Sequence, residues 1–480
     1  MTDTFGAHLD RLAAAAPDRP AITCEGVVVT REQLRRKTNR LAHAYAKHGV
    51  GHDDFVTIAL PNGIEFLEST IAVWKLGATP QPVSARLPAG ELQEIVQLAK
   101  PALVVGTKID GWPWLPAGFE PETPDDPLAA PAASCWKAPT SGGSTGRPKL
   151  IVATQPAEAD LITPFAGLLG ISGDSTMLTT GPLHHNGPFM TSAAGLLAGA
   201  HVVVMPKFDA ETALLLIDRQ RADWMYAVPT MMHRIWRLPP PTRDRYSVNS
   251  LRVVMHMAAP CPGWLKEAWI DWLGAGRVHE LYAGTEAQAI TVIRGDEWLR
   301  HRGSVGRPVL GEIQVLNEAG EQAKLGEVGK IWMRRGENVA PPYRYLGATA
   351  TSRPGGWETL GDLGYLDSDG YLYLTDRETD MILVGGSNVY PAEIEAAIDS
   401  HPAVLSSCVI GLPDPDLGNT PHALVQLATD VPDAELLEHL AKRLGGYKLP
   451  RSFERVDHPL RDDGGKVRRS ALRAERLPPQ

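Results

Sequence analysis

Apolar residues along the chain gather in short runs of strand character that alternate with longer stretches of helical period. Phe55 to Leu60 reads as a strand, Glu65 to Leu76 as a helix, and Ala102-Leu103-Val104-Val105 as a second strand. The alternation returns in His201 to Met205, Ala210 to Arg219 and Trp224 to Val228. Strands separated by single helices predict βαβ units, and hence an α/β fold of layered, mostly parallel sheets with helices. From Gly326 the texture changes to short strands with Asp-Gly turns, as in Asp367-Ser368-Asp369-Gly370 before Tyr371-Leu372-Tyr373-Leu374. A smaller α+β unit is expected to begin near Asp376. In it, Ala392 to Ile398 reads as a helix after Pro391, Val404 to Gly411 and Leu424 to Ala428 as strands, and Asp433 to Arg443 as a helix. Its size of about 100 residues suffices for independent folding. The expected division is thus a large N-terminal domain, 1–376, and a small mobile C-terminal domain, 377–480.

Composition narrows the classes. The 480 residues, at about 150 per domain, allow a large buried core and roughly three domains or subdomains. With 47 basic and 56 acidic residues the net charge is −9, so the basic surplus needed to hold a phosphate backbone is missing and nucleic acid is not an expected partner. Cys24, Cys135, Cys261 and Cys408 are far apart and form no CxxC pair, which indicates neither a disulfide framework nor a structural zinc site. The apolar run Ser192 to Met205 is broken by His201 and falls short of the ~20 residues a membrane span needs. The first residues, Met1-Thr2-Asp3-Thr4, carry acid where a signal peptide has a basic region. A cytoplasmic protein without a membrane span is expected.

The most informative stretch is Thr140-Ser141-Gly142-Gly143-Ser144-Thr145-Gly146-Arg147-Pro148-Lys149, followed by Leu150-Ile151-Val152. Its glycines let backbone N–H groups approach an anion, its hydroxyls add donors, and Arg147 and Lys149 add charge, so phosphate is the natural ligand. The P-loop of kinases and GTPases needs Gly-Lys-Ser/Thr opening a helix. Here Arg147-Pro148 separates Gly146 from Lys149 and a strand-like run follows, which excludes that reading. By composition alone the stretch also fits a flexible surface loop.

This loop resembles the phosphate loop of the acyl-adenylate-forming superfamily, which includes acyl-CoA synthetases, peptide-synthetase adenylation domains and luciferases. Further segments resemble the family's other motifs in order. Pro182-Leu183-His184-His185-Asn186-Gly187 is similar to the segment with the acid-contacting histidine. Ala258-Ala259-Pro260 is similar to the adenine-facing turn, and Tyr282-Ala283-Gly284-Thr285-Glu286 to the nucleotide and magnesium motif. Leu360-Gly361-Asp362-Leu363-Gly364 with Asp376-Arg377 resembles the ribose motif and the start of the hinge. Gly385-Gly386-Ser387-Asn388-Val389-Tyr390-Pro391, Gly445 to Arg451 and Gly464-Gly465-Lys466 resemble signatures of the mobile domain. The resemblance spans nearly the whole chain.

Making an acyl adenylate brings a carboxylate onto the α-phosphate of ATP, two anions that repel until cations and aligned donors screen them. The resemblance implies that Lys466 reaches both anions; read alone, it is a solvated tail lysine. Asp362, otherwise a turn-stabilising residue, is implied for the ribose hydroxyls, with Arg377, otherwise a surface cation, beside it. Glu286 is implied as the Mg2+ ligand next to Thr285, where a plain helix-start glutamate is the alternative. His185 is implied at the acid carboxylate, where simple packing is the alternative. The histidine segment lacks the Phe-Asp pattern by which amino-acid-activating relatives hold a substrate ammonium, so an apolar, aromatic or alicyclic acid is expected. Trp224, Tyr226, Met231 and Met232 lie near where relatives shape the acyl tunnel, though core packing is the better reading of each taken singly. Two positions depart from the family: Thr379 stands where the hinge residue is usually Asp or Lys, and Asn419 where Glu is frequent.

The expected activity is ATP-dependent activation of an acid to acyl-AMP with release of pyrophosphate, then transfer to the CoA thiol. The loop looks most like that of bile-acid and steroid-type CoA ligases, but also like that of coronafacate-ligase-type amide bond synthetases, so an amine is the alternative acceptor. Lys448 and Arg451 are candidates for the CoA phosphates. Loading of a carrier protein, or a catalytically silent nucleotide-binding regulator, are further alternatives; the second predicts a damaged set of site residues, which this sequence does not have.

Overall fold

The computed structural model describes residues 3–142, 148–462 and 464–477, with only the backbone described at Ser141 and Gly142. The large domain is built on two sheets with helices between them. In the larger, Val27–Thr30, Pro20–Cys24, His201–Val204, Thr176–Thr179, Trp224–Ala227, Val253–Met257 and Val278–Ala283 are neighbours in that order. All pairs from Pro20–Cys24 to Val278–Ala283 are parallel. Beyond Val278–Ala283 the pairing turns antiparallel, through Ile290–Arg294 and Ser304–Leu310 to Leu372–Arg377 and Asp362–Leu366. The smaller sheet, Thr79–Pro82, Phe55–Ala59, Leu103–Gly106 and Trp114–Pro116, is parallel throughout. The expected strands and helices of this region are present within a few residues of their expected limits.

Helix Ile64–Lys75 is enclosed along Phe66 to Lys75, its polar members included. Buried polar groups need partners, and Thr70 donates to the Phe66 carbonyl, Ser69 accepts from Tyr45 and Lys75 meets Asp10. Trp74 meets Phe5 edge-on at 5.0 Å and Phe189 at 6.1 Å, so aromatic edges join three helices into one core. A third, antiparallel sheet of Thr140–Gly142, Pro148–Ala153 and Tyr343–Leu346 flanks this body. Among the described residues no helix is long and apolar enough to cross a membrane.

The C-terminal unit has its own sheet, Ser387–Val389, Ile382–Val384, Gly418–Leu427 and Val404–Asp414, with Ser452–Arg455 added in parallel. Helices Pro391–Asp399 and Asp433–Ala441 contribute Ile394, Ile398, Leu436 and Leu440 to a separate core. Thr379 lies in the short link between Leu372–Arg377 of the large sheet and Ile382–Val384 of the small one. Asn419 accepts a hydrogen bond from Arg473 at 3.3 Å.

The chain's end is pinned to this unit by one buried carboxylate. Glu395 accepts from Arg469 at 2.6 and 2.8 Å, from Arg461 at 2.8 Å and from the Val409 amide at 2.8 Å. Burial pushes its pKa up, but the two guanidinium groups prevail and hold it below the ordinary value. Across the gap, Arg237 of the body donates to the backbone carbonyls of His401 at 3.0 Å and Pro402 at 2.5 Å. Replacing Glu395 with Leu leaves two buried guanidinium groups uncompensated, and is expected to destabilise the C-terminal unit by about 3–5 kcal/mol. Faster hydrogen exchange across Val404–Asp414 is the readout, and unchanged protection there would refute the assignment.

Candidate active site

A cleft of 2230 Å³ lies between the body and the C-terminal unit. On the body side it lies at the carboxyl ends of the parallel strands: Thr180, Pro229, Ala258 and Gly284 follow four of them and line it. Ligands of open parallel sheets bind at this edge, where loops leave the strands in diverging directions. Ala258, just after Val253–Met257, holds φ at +75°. A left-handed alanine persists only where the surroundings impose it, and here it turns the backbone of Ala258-Ala259-Pro260 along the cleft.

Strand Val278–Ala283 delivers Tyr282 to the cleft, and the pairing of Asp362 opposite Arg377 in the adjoining strands delivers the other two members of a cluster. Tyr282 donates to Asp362 at 2.7 Å, and Arg377 donates to the other carboxylate oxygen at 3.2 Å. Burial, then the charge of Asp362, holds the Tyr282 hydroxyl well above its ordinary pKa, so it remains a donor. Arg377 is 62% exposed and faces cleft water.

Glu286 is buried at the next turn. Its Oε1 accepts from the Tyr345 hydroxyl at 2.5 Å and lies 3.6 Å from the Lys149 ammonium, which sits 4.0 Å over the Tyr345 ring. Oε2 has no hydrogen-bond partner among the described residues. A Cβ at Gly284 would come within 2.9 Å of Oε2 and 2.3 Å of Leu360, so a larger residue there would displace the Glu286 carboxylate or the Leu360 side chain. One free carboxylate oxygen suits a hard cation such as Mg2+, which takes few protein ligands and bridges phosphates; Glu286 is the residue that would hold it, with Thr285 alongside.

The opposite wall is built by the C-terminal turn. The backbone amides of Gly464 and Lys466 both donate to Asp462 at 2.9 Å, and Gly465 holds φ at +77°. This turn lies against His185: a Cβ on Gly464 would stand 2.8 Å from the imidazole. Lys466 thereby lines the cleft in company with His185, Thr285 and Glu286. The Lys466 side chain is open to the cleft, and the surrounding walls still lower its pKa by partial desolvation, with Asp462 and Glu286 opposing and Arg377 reinforcing. Burial, then the Lys466 charge, lowers His185 to about 4, so the imidazole is neutral at pH 7.

Of the expected residues, Thr140, Lys149, His185, Ala258 to Pro260, Tyr282 to Glu286, Asp362, Arg377 and Lys466 therefore share one cleft. Gly143, Ser144, Thr145 and Gly146 lie outside the described residues, as do the side chains of Ser141 and Gly142. Tyr226 lines the acid side, where it crowds Gly187 to within 2.9 Å of a would-be Cβ. Trp224, Met231 and Met232 belong to the buried core. Lys448 is paired with Glu393 at 2.7 Å. Two residues of the site have no signal in the sequence motifs: Tyr345, which fixes Glu286 from behind the cleft wall, and Lys137, a buried lysine that lines the cleft and is bonded to Asn186.

Comparison with known proteins agrees with this geometry. The AMP-binding enzyme family matches residues 9–344 and the AMP-binding enzyme C-terminal domain matches 393–464. A feruloyl-CoA synthase of Amycolatopsis is 30% identical over 485 residues, covering 96% of this chain and 97% of its own. The sulfoacetate–CoA ligase of Cupriavidus necator is 29% identical, covering 98% and 97%. Among solved structures, o-succinylbenzoate CoA synthetase from Bacillus subtilis with its acyl-adenylate intermediate matches with a TM-score of 0.82 at 26% identity, covering 97% of both chains. The amide bond synthetase from Marinactinospora thermotolerans shares the fold, with a TM-score of 0.82 at 24% identity, covering 99% of this chain and 100% of its own.

His185 and His233 are both held near 4, chiefly by burial, against an ordinary 6.5. Between those values the unfolded chain binds more protons than the folded one, so these two residues destabilise the fold as pH falls from about 6.5 toward 4. A His185→Gln/His233→Gln variant is expected to lose less melting temperature than the wild type between pH 7 and pH 4.5; equal losses would contradict the burial assigned to the pair.

Proposed function

Since the chain belongs to the AMP-binding enzyme family, we propose that it activates a non-amino-acid carboxylic acid as acyl-AMP and then transfers the acyl group to the thiol of CoA. It is an adenylate-forming ligase that uses ATP. In the first step a carboxylate oxygen of the acid attacks the α-phosphorus and pyrophosphate leaves. In the second the CoA sulfur attacks the acyl carbonyl, AMP leaves, and the thiol proton passes to solvent.

The observation that carries this reading is the seating of Lys466 in the cleft by the turn against His185. An ammonium there offers three donors to a carboxylate and an α-phosphate that must come within bonding distance, and offsets the charge that develops between them. Neutral His185 can give one N–H to the acid carboxylate without adding a second positive charge. Asp362, held by Tyr282 and Arg377, retains acceptor capacity for the ribose hydroxyls, and Arg377 adds charge toward the phosphates. Ala258-Ala259-Pro260 and Tyr282-Ala283-Gly284 flank the adenine, and Thr140 to Gly146 with Lys149 take the β- and γ-phosphates. When bound, Mg2+ would neutralise pyrophosphate as it departs, with Glu286 as its protein ligand.

Residues 1–376 form the body and 377–480 the lid in this scheme. The second step needs Lys466 withdrawn and the Gly385-Gly386 face presented, a rotation about the link that contains Thr379. The CoA ligases among the relatives support the thiol as acceptor. Transfer to an amine is the second reading, since the phosphate loop also resembles that of amide bond synthetases. The intact set of site residues speaks against a silent regulator.

Lys466→Ala is expected to lower acid-dependent pyrophosphate release by about 10²–10³ with an unaltered melt; ordinary rates would remove the role. Excess chelator should abolish turnover and added Mg2+ restore it, whereas full activity in chelator would exclude the metal. Incubation with Mg-ATP and a panel of aromatic, alicyclic and fatty acids, with CoA and simple amines offered separately and products identified by mass, should yield thioesters. Exclusive amide formation would establish the second reading instead.

A further inference from the structure

Lys137 is a buried cation with no counter-charge beside it. It is 5% exposed and lines the cleft. Its only hydrogen-bond or ion-pair partner among the described residues is the side-chain oxygen of Asn186, and its ammonium lies 4.8 Å from the Trp136 ring centroid. The protein's other deeply buried lysines are neutralised. Lys75, also 5% exposed, meets Asp10 at 2.5 Å, and Lys266, at 0%, meets Glu280 at 2.5 Å. An uncompensated charge in the interior costs several kcal/mol, and an ammonium carries three donors of which Asn186 takes one. Burial accordingly depresses its pKa to about 7, with the charge of Glu286 the one opposing influence.

Its place in the cleft says what the missing partner is. Asn186 opens helix Asn186–Ala198 directly after His185, so Lys137, bonded to Asn186, lies beside the histidine segment on the body wall of the cleft. Glu286 bears on both Lys137 and Lys466, but the two lysines enter from different units, Lys137 from the body and Lys466 from the C-terminal turn, so that one acid can meet both. Tyr226, Met190 and Met257 also line the cleft and offer an apolar body to a ring or chain, with no charge of their own.

We propose that Lys137 is a specificity-determining residue that holds a second anionic group, a carboxylate or sulfonate, on the acid substrate, through the two ammonium hydrogens not taken by Asn186. The acid is then an aromatic or alicyclic body with one anion presented to Lys466 and the other to Lys137. This rests on the adenylation reading and sharpens its substrate class.

The test uses non-hydrolysable acyl-adenylate mimics, so it needs no knowledge of the natural acid. Acyl-sulfamoyl-adenosines bearing 2-, 3- or 4-carboxybenzoyl groups are compared by calorimetry with their methylbenzoyl partners, on wild-type protein and on Lys137→Met. At least one carboxyl ligand should bind the wild type about tenfold or more tighter than its methyl partner, and that preference should vanish in Lys137→Met. The methyl ligands binding as tightly or more tightly in every pair would overturn the proposal, as would a carboxyl preference that survives the substitution. An equal loss for both partners would assign Lys137 to the reacting carboxylate and overturn it likewise. The wild-type comparison decides by itself if Lys137→Met fails to melt cooperatively, and Lys137→Gln then replaces it. Failure of every mimic to bind the wild type would overturn the adenylation reading itself, a result distinct from equal binding within pairs.

Discussion

Everything in this cleft depends on the contact between Gly464 and the ring of His185. Lys466 belongs to a turn near the end of the chain, on a unit joined to the body by a short link, and it enters the cleft only because that turn can lie flat against the imidazole. A side chain at Gly464 would collide with the ring. The turn is also closed on itself, since Asp462 collects the amides of Gly464 and Lys466. Its flanks are held as firmly: Arg461 before it and Arg469 after it grip the same Glu395 carboxylate. A flexible four-carbon side chain is thus presented from a rigid base, which keeps low the entropy lost in aligning it.

The same contact ties charge to geometry. Burial keeps His185 neutral and the Lys466 charge reinforces it, so bringing the ammonium in does not introduce two competing cations. On the facing wall, Tyr345 and Lys149 occupy one oxygen of Glu286 and leave the other open. Asp362 is held differently, with Tyr282 on one oxygen and Arg377 on the other. A carboxylate oxygen has more than one lone pair, so one donor on each orients the group and leaves it able to accept further bonds.

Much of this was legible from the chain, and the reason is local. Period-2 and period-3.6 patterns report the burial of faces, so the strands around Phe55 and Trp224 and the helix after Ala210 could be read directly. The site residues were legible because they stand in contiguous motifs, as in Tyr282 to Glu286. What joins the motifs was not. Asp362 and Arg377 are brought together by a cross-strand register. Tyr345 reaches Glu286 from 59 positions away, through a strand that no pattern sets apart. Lys137 carries no motif at all; a lysine becomes unusual only when tertiary structure encloses it without a carboxylate. Trp224, Met231 and Met232 joined the core because a central parallel strand and the helix after it are covered on both sides.

Arg237 grips the C-terminal unit chiefly by the backbone oxygens of His401 and Pro402, with the Asp399 carboxylate at the end of helix Pro391–Asp399 adding its charge. Hydrogen bonds to main-chain carbonyls are indifferent to which amino acids present them. Positions 401 and 402 can therefore drift while the grip is preserved, and a C-terminal unit transplanted from a relative with the same backbone course and an acid at position 399 would find the dock ready for it.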